Sequence, residues 1–346
     1  MGKTKDLSTA NRRDVRPTLK TVADACGLAV TTVSRALNDG EDIALRTRTR
    51  VKRVAADLGY VPNRAGQGLR TGRTNVLHLL LAPHAEITSY TASIIEGFSR
   101  ICRSNGYELS ISPDTRDEDE LTAVKSIVEN RRADGIVLSR TMPNDLRVRY
   151  LLEHEFPFVT HGLTELATPH ASVDYDNQAF AELAVNRLIK KGRKRLMLIG
   201  AAPGLTYQTH LETGFVRGLA RNGLKELEPP GQYHLETPLP AIRRDLCARF
   251  QQANAPEGIV CAGELAALAA SAGIRDAGGV PGVDVDIVSK QTSSVLDYVD
   301  PPMDSCFEDI VITGELLGNT LLQVLRNTES KESLCHVIAP QERFRT

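Results

Sequence analysis

Leu19, Val22, Ala23 and Cys26 recur at i, i+3, i+4 and i+7; Gly27 then interrupts the run, and Val30, Val33 and Leu37 resume the same spacing. This period predicts two short helices, each with one apolar face, and Thr18 stands where the first needs an N-cap. Two such helices joined by about three residues form a helix-turn-helix. A third helix is expected over residues 45–58, burying Val51, Val54, Ala55 and Leu58 and leaving Arg46, Arg48, Arg50, Lys52 and Arg53 in water, with Gly59 ending it. The second helix turns Thr31, Thr32, Ser34 and Arg35 outward. Hydroxyls of this kind reach phosphate oxygens, and an arginine pairs with guanine O6 and N7, so the face suits a major groove. A small helical bundle with a solvated face would show the same pattern.

The charge distribution separates these readings further. The net charge of −1 conceals a basic head: residues 1–73 hold 15 of the 42 Lys/Arg and 7 of the 43 Asp/Glu, leaving 27 basic and 36 acidic side chains in the remainder. A basic head on an acidic body points to a polyanion as partner of the head alone. The run TLKTVADACGLAVTTVSRALN beginning at Thr18, followed by Thr47-Arg48, by LGYVPNR at residues 58–64 and by Leu69, closely resembles the DNA-binding head of the LacI/GalR family of bacterial regulators. The resemblance implies base-reading roles for Val30, Thr31 and Arg35, and phosphate contacts for Thr18, Thr32, Ser34 and Asn38. It also implies that Tyr60 and Asn63 tie a hinge to the DNA backbone, and that residues 63–70 form a hinge helix whose Leu69 wedges into the minor groove, as apolar wedges do where a duplex is bent.

Gly66 and Gly68 lie within that hinge. Each costs a helix about 1 kcal/mol relative to alanine, so the hinge is expected to be disordered off DNA and to order with operator binding. Two departures from the family pattern concern helix ends. Ala29 and Ala44 stand where serine is usual, so two N-caps are expected to be lost, at about 0.5–2 kcal/mol each.

At 346 residues the chain exceeds one core, and a second unit is expected over residues 75–346. Here short apolar runs alternate with amphipathic stretches, the pattern of a doubly wound α/β unit with parallel sheets. Strands are expected at 76–81, 108–111, 135–138, 157–160, 195–199, 258–261 and 285–288, and helices at 93–105, 121–130, 177–190, 210–222 and 265–277. The acidic stretch 117–120 reads as a solvated helix start. The family resemblance implies a two-lobed sensor built like a periplasmic sugar-binding protein, with lobes at about 75–173 and 174–300 and a C-terminal segment crossing back; the head occupies 18–61, the hinge 62–74, and residues 1–17 are a flexible extension.

Ligands of such sheets lie at the carboxyl ends of the strands. That rule nominates His84, Ser139, Arg140, His161, Tyr207, Glu264 and Gln291 as effector contacts. The family's usual sugar clamps are partly replaced, by Leu211, by Gly263-Glu264 and by the run SKQT at 289–292. The expected effector is a sugar or glycoside, with a phosphorylated sugar, another small metabolite or a protein partner as alternatives.

The function expected is thus a sequence-specific transcriptional regulator, a repressor, acting as a homodimer or tetramer on a pseudopalindromic operator. A two-lobed carrier would need a signal peptide and no basic head. The residues 1–16 lack the apolar stretch of such a signal, and no run of about 18 apolar residues appears, so a cytoplasmic protein without membrane contact is expected. An enzyme is disfavoured by the absence of a G-x-x-x-x-G-K-[ST] loop, an H-E-x-x-H pair, a G-x-S-x-G elbow or a glycine-rich dinucleotide turn. The cysteines Cys26, Cys102, Cys247, Cys261, Cys306 and Cys335 are scattered without zinc spacing, so reduced thiols, no metal and no cofactor are expected.

Overall fold

The computed structural model describes residues 17–61, 72–81, 88–114, 120–225, 227, 233–327 and 331–345. The chain divides into two compact units, 1–74 and 75–346.

In the first unit α1 (Leu19–Cys26), α2 (Val30–Leu37) and α3 (Leu45–Asp57) close around Val22, Ala23, Cys26, Val33, Ala36, Val51 and Ala55. The start of α1 is doubly capped: the Thr18 hydroxyl accepts from the Thr21 amide at 3.2 Å, and the Thr21 hydroxyl accepts from the Thr18 amide at 3.1 Å. Gly27 takes the left-handed conformation (φ 65°) that turns the chain from α1 toward α2, a conformation a side chain would strain. Neither Ala29 nor Ala44 offers a side-chain cap to α2 or α3. Leu58 departs from expectation: α3 ends at Asp57, and Leu58 becomes its exposed C-cap rather than a core residue. Arg50, on the wet side of α3, donates to the Cys26 carbonyl at 3.1 Å and so satisfies an open acceptor at the end of α1.

The second unit contains two sheets. The first is formed by β1 (Val76–Leu81), β2 (Glu108–Pro113), β3 (Gly135–Ser139), β4 (Phe158–His161) and β5 (Ser172–Tyr175), with α4 (Thr88–Ser104), α5 (Thr122–Glu129) and α6 (Leu146–Glu153) between them. The chain then crosses to a second sheet through α7 (Asn177–Lys190), β6 (Leu196–Ile199), α8 (Thr206–Arg221), α9 (Leu239–Phe250), β7 (Gly258–Cys261), α10 (Glu264–Asp276), β8 (Asp286–Gln291) and β9 (Asp304–Phe307). It crosses back as α11 (Ile310–Arg326), adds β10 (Cys335–Ile338) beside β5, and ends with β11 (Gln341–Arg343) antiparallel to β9. The strand orders are β10-β5-β4-β3-β1-β2 and β11-β9-β8-β7-β6, parallel throughout except at β11. The first sheet thus extends through Tyr175, two residues past the expected lobe boundary, and residues beyond 300 supply β10 to the first sheet and β9 and β11 to the second.

Each sheet is covered on both faces, which is why β1, β3, β6 and β7 read as near-continuous apolar runs. Leu77, Leu79 and Leu81 of β1 pack with Phe98 and Leu317 on one face, while Leu80 packs with Val124, Ile127 and Leu151 on the other. The return helix α11 lies directly on α4. A Cβ at Gly97 would come within 2.0 Å of the Val311 carbonyl, and one at Gly314 within 2.5 Å of the Ile94 carbonyl, so glycine at both positions sets this close approach. Among the described residues no helix is long and apolar enough to cross a membrane, and no cluster of three or more His, Cys, Asp or Glu is placed to hold a metal ion.

Candidate functional site

Two sites are built by these units, one in each. On the head, burial of Val33 and Ala36 rotates α2 so that Val30, Thr31, Arg35 and Asn38 are exposed, with Thr32 and Ser34 half-buried. Val30 is a large apolar side chain left 42 % exposed at the first position of a helix, where folding alone gives no reason for it. Thr18 is exposed and already serves as N-cap, and Asn38 caps the other end of α2 by donating from its side-chain amide to the Ser34 carbonyl at 2.7 Å. Arg35 is engaged: its guanidinium meets Asp42 at 2.7 Å, with both side chains more than half exposed (64 and 53 %). Such a pair is weak and exchanges readily for another acceptor. Tyr60 is half-buried against the head's core. Asn63 and Leu69, assigned to the hinge, lie outside the described residues, as do Arg64, Gly66 and Gly68.

The second site is a cleft of about 170 Å³ between the two sheets, at the carboxyl ends of their strands. Ser139, Arg140, His161, Tyr207 and Glu264 all line it. His84 lies outside the described residues, and so do residues 117–119 of the acidic stretch. Gln291 is a correction. It is 1 % exposed and turned away from the cleft, accepting from the Ser305 hydroxyl at 2.6 Å and donating to the Ser293 carbonyl at 2.8 Å. Side chains alternate along a strand, so it is Lys290 and Thr292 that face inward. Glu264 borders the cleft with its carboxylate committed: it accepts from the Thr292 and Ser293 amides at 3.0 and 2.8 Å and from the Ser293 hydroxyl at 2.9 Å, pinning the turn after β8 to the start of α10.

Polar residues not anticipated from the sequence also line the wall, among them Tyr90, Asp174, Asn177, Lys290 and Glu308. Lys290 Nζ stands 2.5 Å from Glu308 Oε2 and 3.2 Å from Asn177 Oδ1, and lies 4.2 Å above the Tyr175 ring and 5.2 Å from that of Tyr207. Ion pair, hydrogen bond and aromatic faces together compensate a buried ammonium. The Tyr90 hydroxyl bonds to His161 Nδ1, and burial depresses the imidazole's pKa to about 4, only partly opposed by Glu308. The ring is therefore neutral at pH 7. With Tyr90 donating to Nδ1, a tautomer assigned from this network, the ring proton sits on Nε2. Asp174 is pushed the other way, up to about 7, because burial outweighs the attraction of Lys290. Arg140, held at a positive φ of 55°, forms an ion pair with Glu236 across the cleft. Beneath it the fully buried Arg147 donates to the Ser139 and Arg140 carbonyls at 3.1 and 3.2 Å, fixing the backbone at the end of β3.

Comparison with known proteins gives both units a context. Residues 18–63 match the family described as bacterial regulatory proteins, lacI family. The head is a lacI-family DNA-binding domain. Residues 185–343 match the periplasmic binding protein-like domain, so the LacI-type head is joined to a sensor-type body. The curated relatives are transcriptional regulators. The chain is 29 % identical to AglR of Rhizobium meliloti over 78 % of its own length and 76 % of that protein's, and 31 % identical to RafR of Escherichia coli over 60 and 62 %. It is 27 % identical to CelR of Thermobifida fusca over 89 and 91 %. Among solved structures, a lac repressor dimer bound to operator and the anti-inducer ONPF superposes with a TM-score of 0.81 at 19 % identity, covering 94 % of this chain and 97 % of that one. A CelR–cellobiose complex does so with 0.70 at 24 %, covering 95 and 99 %. With a lacI-family head and transcriptional regulators as its curated relatives, the chain is a DNA-binding transcriptional regulator and not an enzyme.

Proposed function

We propose that the protein is a cytoplasmic, homodimeric repressor that reads a pseudopalindromic operator and is governed by a sugar or glycoside held in the cleft. Arg35, Val30 and Thr31 read base edges; Thr18, Thr32, Ser34 and Asn38 hold phosphates; Tyr60 and Asn63 tie the hinge down, and Leu69 wedges the central base step. A single head reads few base pairs, so two-fold symmetry is what gives the operator its length. The observation that carries this reading is the exposed face of α2, which combines an apolar residue, hydroxyls and a weakly paired arginine on a family-matched head. The solved CelR–cellobiose complex and the lac repressor dimer bound to operator support extending it to this chain. Ser139, Arg140, His161 and Tyr207 are the effector contacts retained from the sequence, joined by Tyr90, Asn177, Lys290 and Glu308.

The test is fluorescence anisotropy at physiological salt with palindromic DNA from upstream of the gene and with random DNA. Tight binding to the palindrome alone, lost in Arg35→Ala while weak salt-sensitive binding to random DNA persists, is the expected result. Equal loss on both DNAs would assign Arg35 to phosphate rather than to base reading.

A further inference from the structure

This inference rests on the cleft being the effector site, and it concerns the chemistry of the effector. Among the described residues the cationic side chains lining the cleft are Lys290 and Arg140, each already matched with a carboxylate, Lys290 with Glu308 and Arg140 with Glu236. The Lys290 protons are directed at Glu308, at Asn177 and at the tyrosine faces. Glu264 and Asp174 add further carboxyl groups to the wall, and the imidazole of His161 is neutral. An anionic ligand would enter a site richer in carboxyl groups than in cations and would have to draw Lys290 from a buried pair.

The spare hydrogen-bonding capacity is of the opposite kind. Glu308 is 2 % exposed, yet its Oε1 has no hydrogen-bond partner. It faces His161 Nε2 at 3.8 Å, too far for a direct bond. A hydroxyl oxygen about 2.8 Å from each would subtend an angle of about 85°, accepting from Nε2–H and donating to Oε1. We propose that the cleft takes an uncharged, polyhydroxylated ligand, one hydroxyl of which seats between His161 Nε2 and Glu308 Oε1, and that it rejects phosphorylated or carboxylated counterparts. His161 ends β4 of the first sheet, Glu308 lies where the chain crosses back after β9, and its partner Lys290 is on β8 of the second. One hydroxyl placed there ties the two sheets together at the crossover.

Thermal denaturation of the full chain at pH 7 with glucose, galactose, maltose, cellobiose and raffinose, beside glucose 6-phosphate, galactose 1-phosphate and glucuronate, tests this. At least one neutral sugar raises the midpoint and none of the anions does. Calorimetric titration of that sugar then shows affinity weakened at least tenfold in His161→Phe and in Glu308→Gln. The first keeps a ring against Tyr90 but no donor; the second strips Lys290 of its counter-charge, and where it fails to fold His161→Phe alone decides. A sugar phosphate that stabilises more than its parent sugar overturns the proposal while leaving a sugar sensor in place. Undiminished affinity in His161→Phe overturns the hydroxyl seat. No response to any member of the panel overturns the sugar-sensing reading, and this proposal with it.

Discussion

Replacing Arg147 by methionine should unsettle the sensor unit more than any change at the cleft surface. The guanidinium is fully buried and pairs with Asp114 through Nη1 and with Asp145 through Nε at 3.0 Å and Nη2 at 2.7 Å. It also donates to the Ser139 and Arg140 carbonyls. Asp145 keeps other donors when the arginine is gone, because it caps α6 through the Arg147 and Val148 amides and accepts from the Met142 amide at 3.2 Å. Asp114 and the two carbonyls lose a donor outright. Removing one partner of a buried ion pair costs about 3–5 kcal/mol, so Arg147→Met should lose about that much. With no tryptophan in the chain, urea unfolding is best followed by far-ultraviolet circular dichroism. At an m-value of about 3 kcal/mol/M the midpoint falls by at least about 1 M. Adding Asp114→Asn should recover part of the loss, since the carboxylate that has lost the buried guanidinium charge is then neutral. A loss under about 1 kcal/mol, or a double variant no better than the single, would refute the view that Arg147 acts as a buried counter-charge.

Three further outcomes follow from the same structure. Burial holds His78, whose ring nitrogens have no hydrogen-bond partner, neutral down to a pKa of about 4 against an ordinary 6.5. The unfolded chain therefore takes up this proton first: stability is complete above pH 6.5 and declines as pH falls from 6.5 to 4, by about 3 kcal/mol for this residue. His78→Leu should stabilise the protein at pH 7 and flatten that decline, leaving the same-signed contribution of His161; parallel curves for variant and wild type would contradict it. Ala44→Ser restores a cap to α3 and should stabilise the head by about 0.5–2 kcal/mol, read as slower amide exchange in residues 45–48. Unchanged exchange would show the cap to be irrelevant. Asp42→Ala releases Arg35 and should tighten operator binding two- to fivefold; weaker binding would mean that the pair orients Arg35 for the groove.

Much of this architecture is legible in the sequence, and its omissions share physical causes. The fully buried strands β1, β3, β6 and β7 announce themselves as apolar runs, and α7 occupies the residues 177–190 expected of an amphipathic stretch. By contrast β5 reads SVDY and β9 reads DSCF, four residues each with polar side chains pointed into the cleft or into ion pairs, and neither resembles a strand on composition. That loss propagates to the site: Asp174, Asn177 and Glu308 sit at or just beyond these strand ends. Helix α6 hides because Arg147, charged and fully buried, occupies an inward position and erases the amphipathic pattern. Tyr90 lies in the five residues by which α4 precedes its clearest apolar period, and Lys290 in the three polar residues by which β8 runs past the apolar stretch at 285–288. On the head the apolar spacing accounts for the exposure of Thr31 and Arg35, but it also counts Val30 on the apolar face, whereas Ala36 is buried with Val33 and Val30 is left exposed.

The central claim is that the sensor's cleft and the head's DNA-reading face communicate. It is tested most directly by titrating the full chain with operator DNA in the presence and absence of the neutral sugar that stabilises it, for the wild type and for His161→Phe. The account predicts that the sugar weakens operator affinity in the wild type, by about 5–150-fold for a coupling of 1–3 kcal/mol, and has no effect on the variant at the same concentration. Operator affinity indifferent to a sugar that demonstrably occupies the cleft would contradict it.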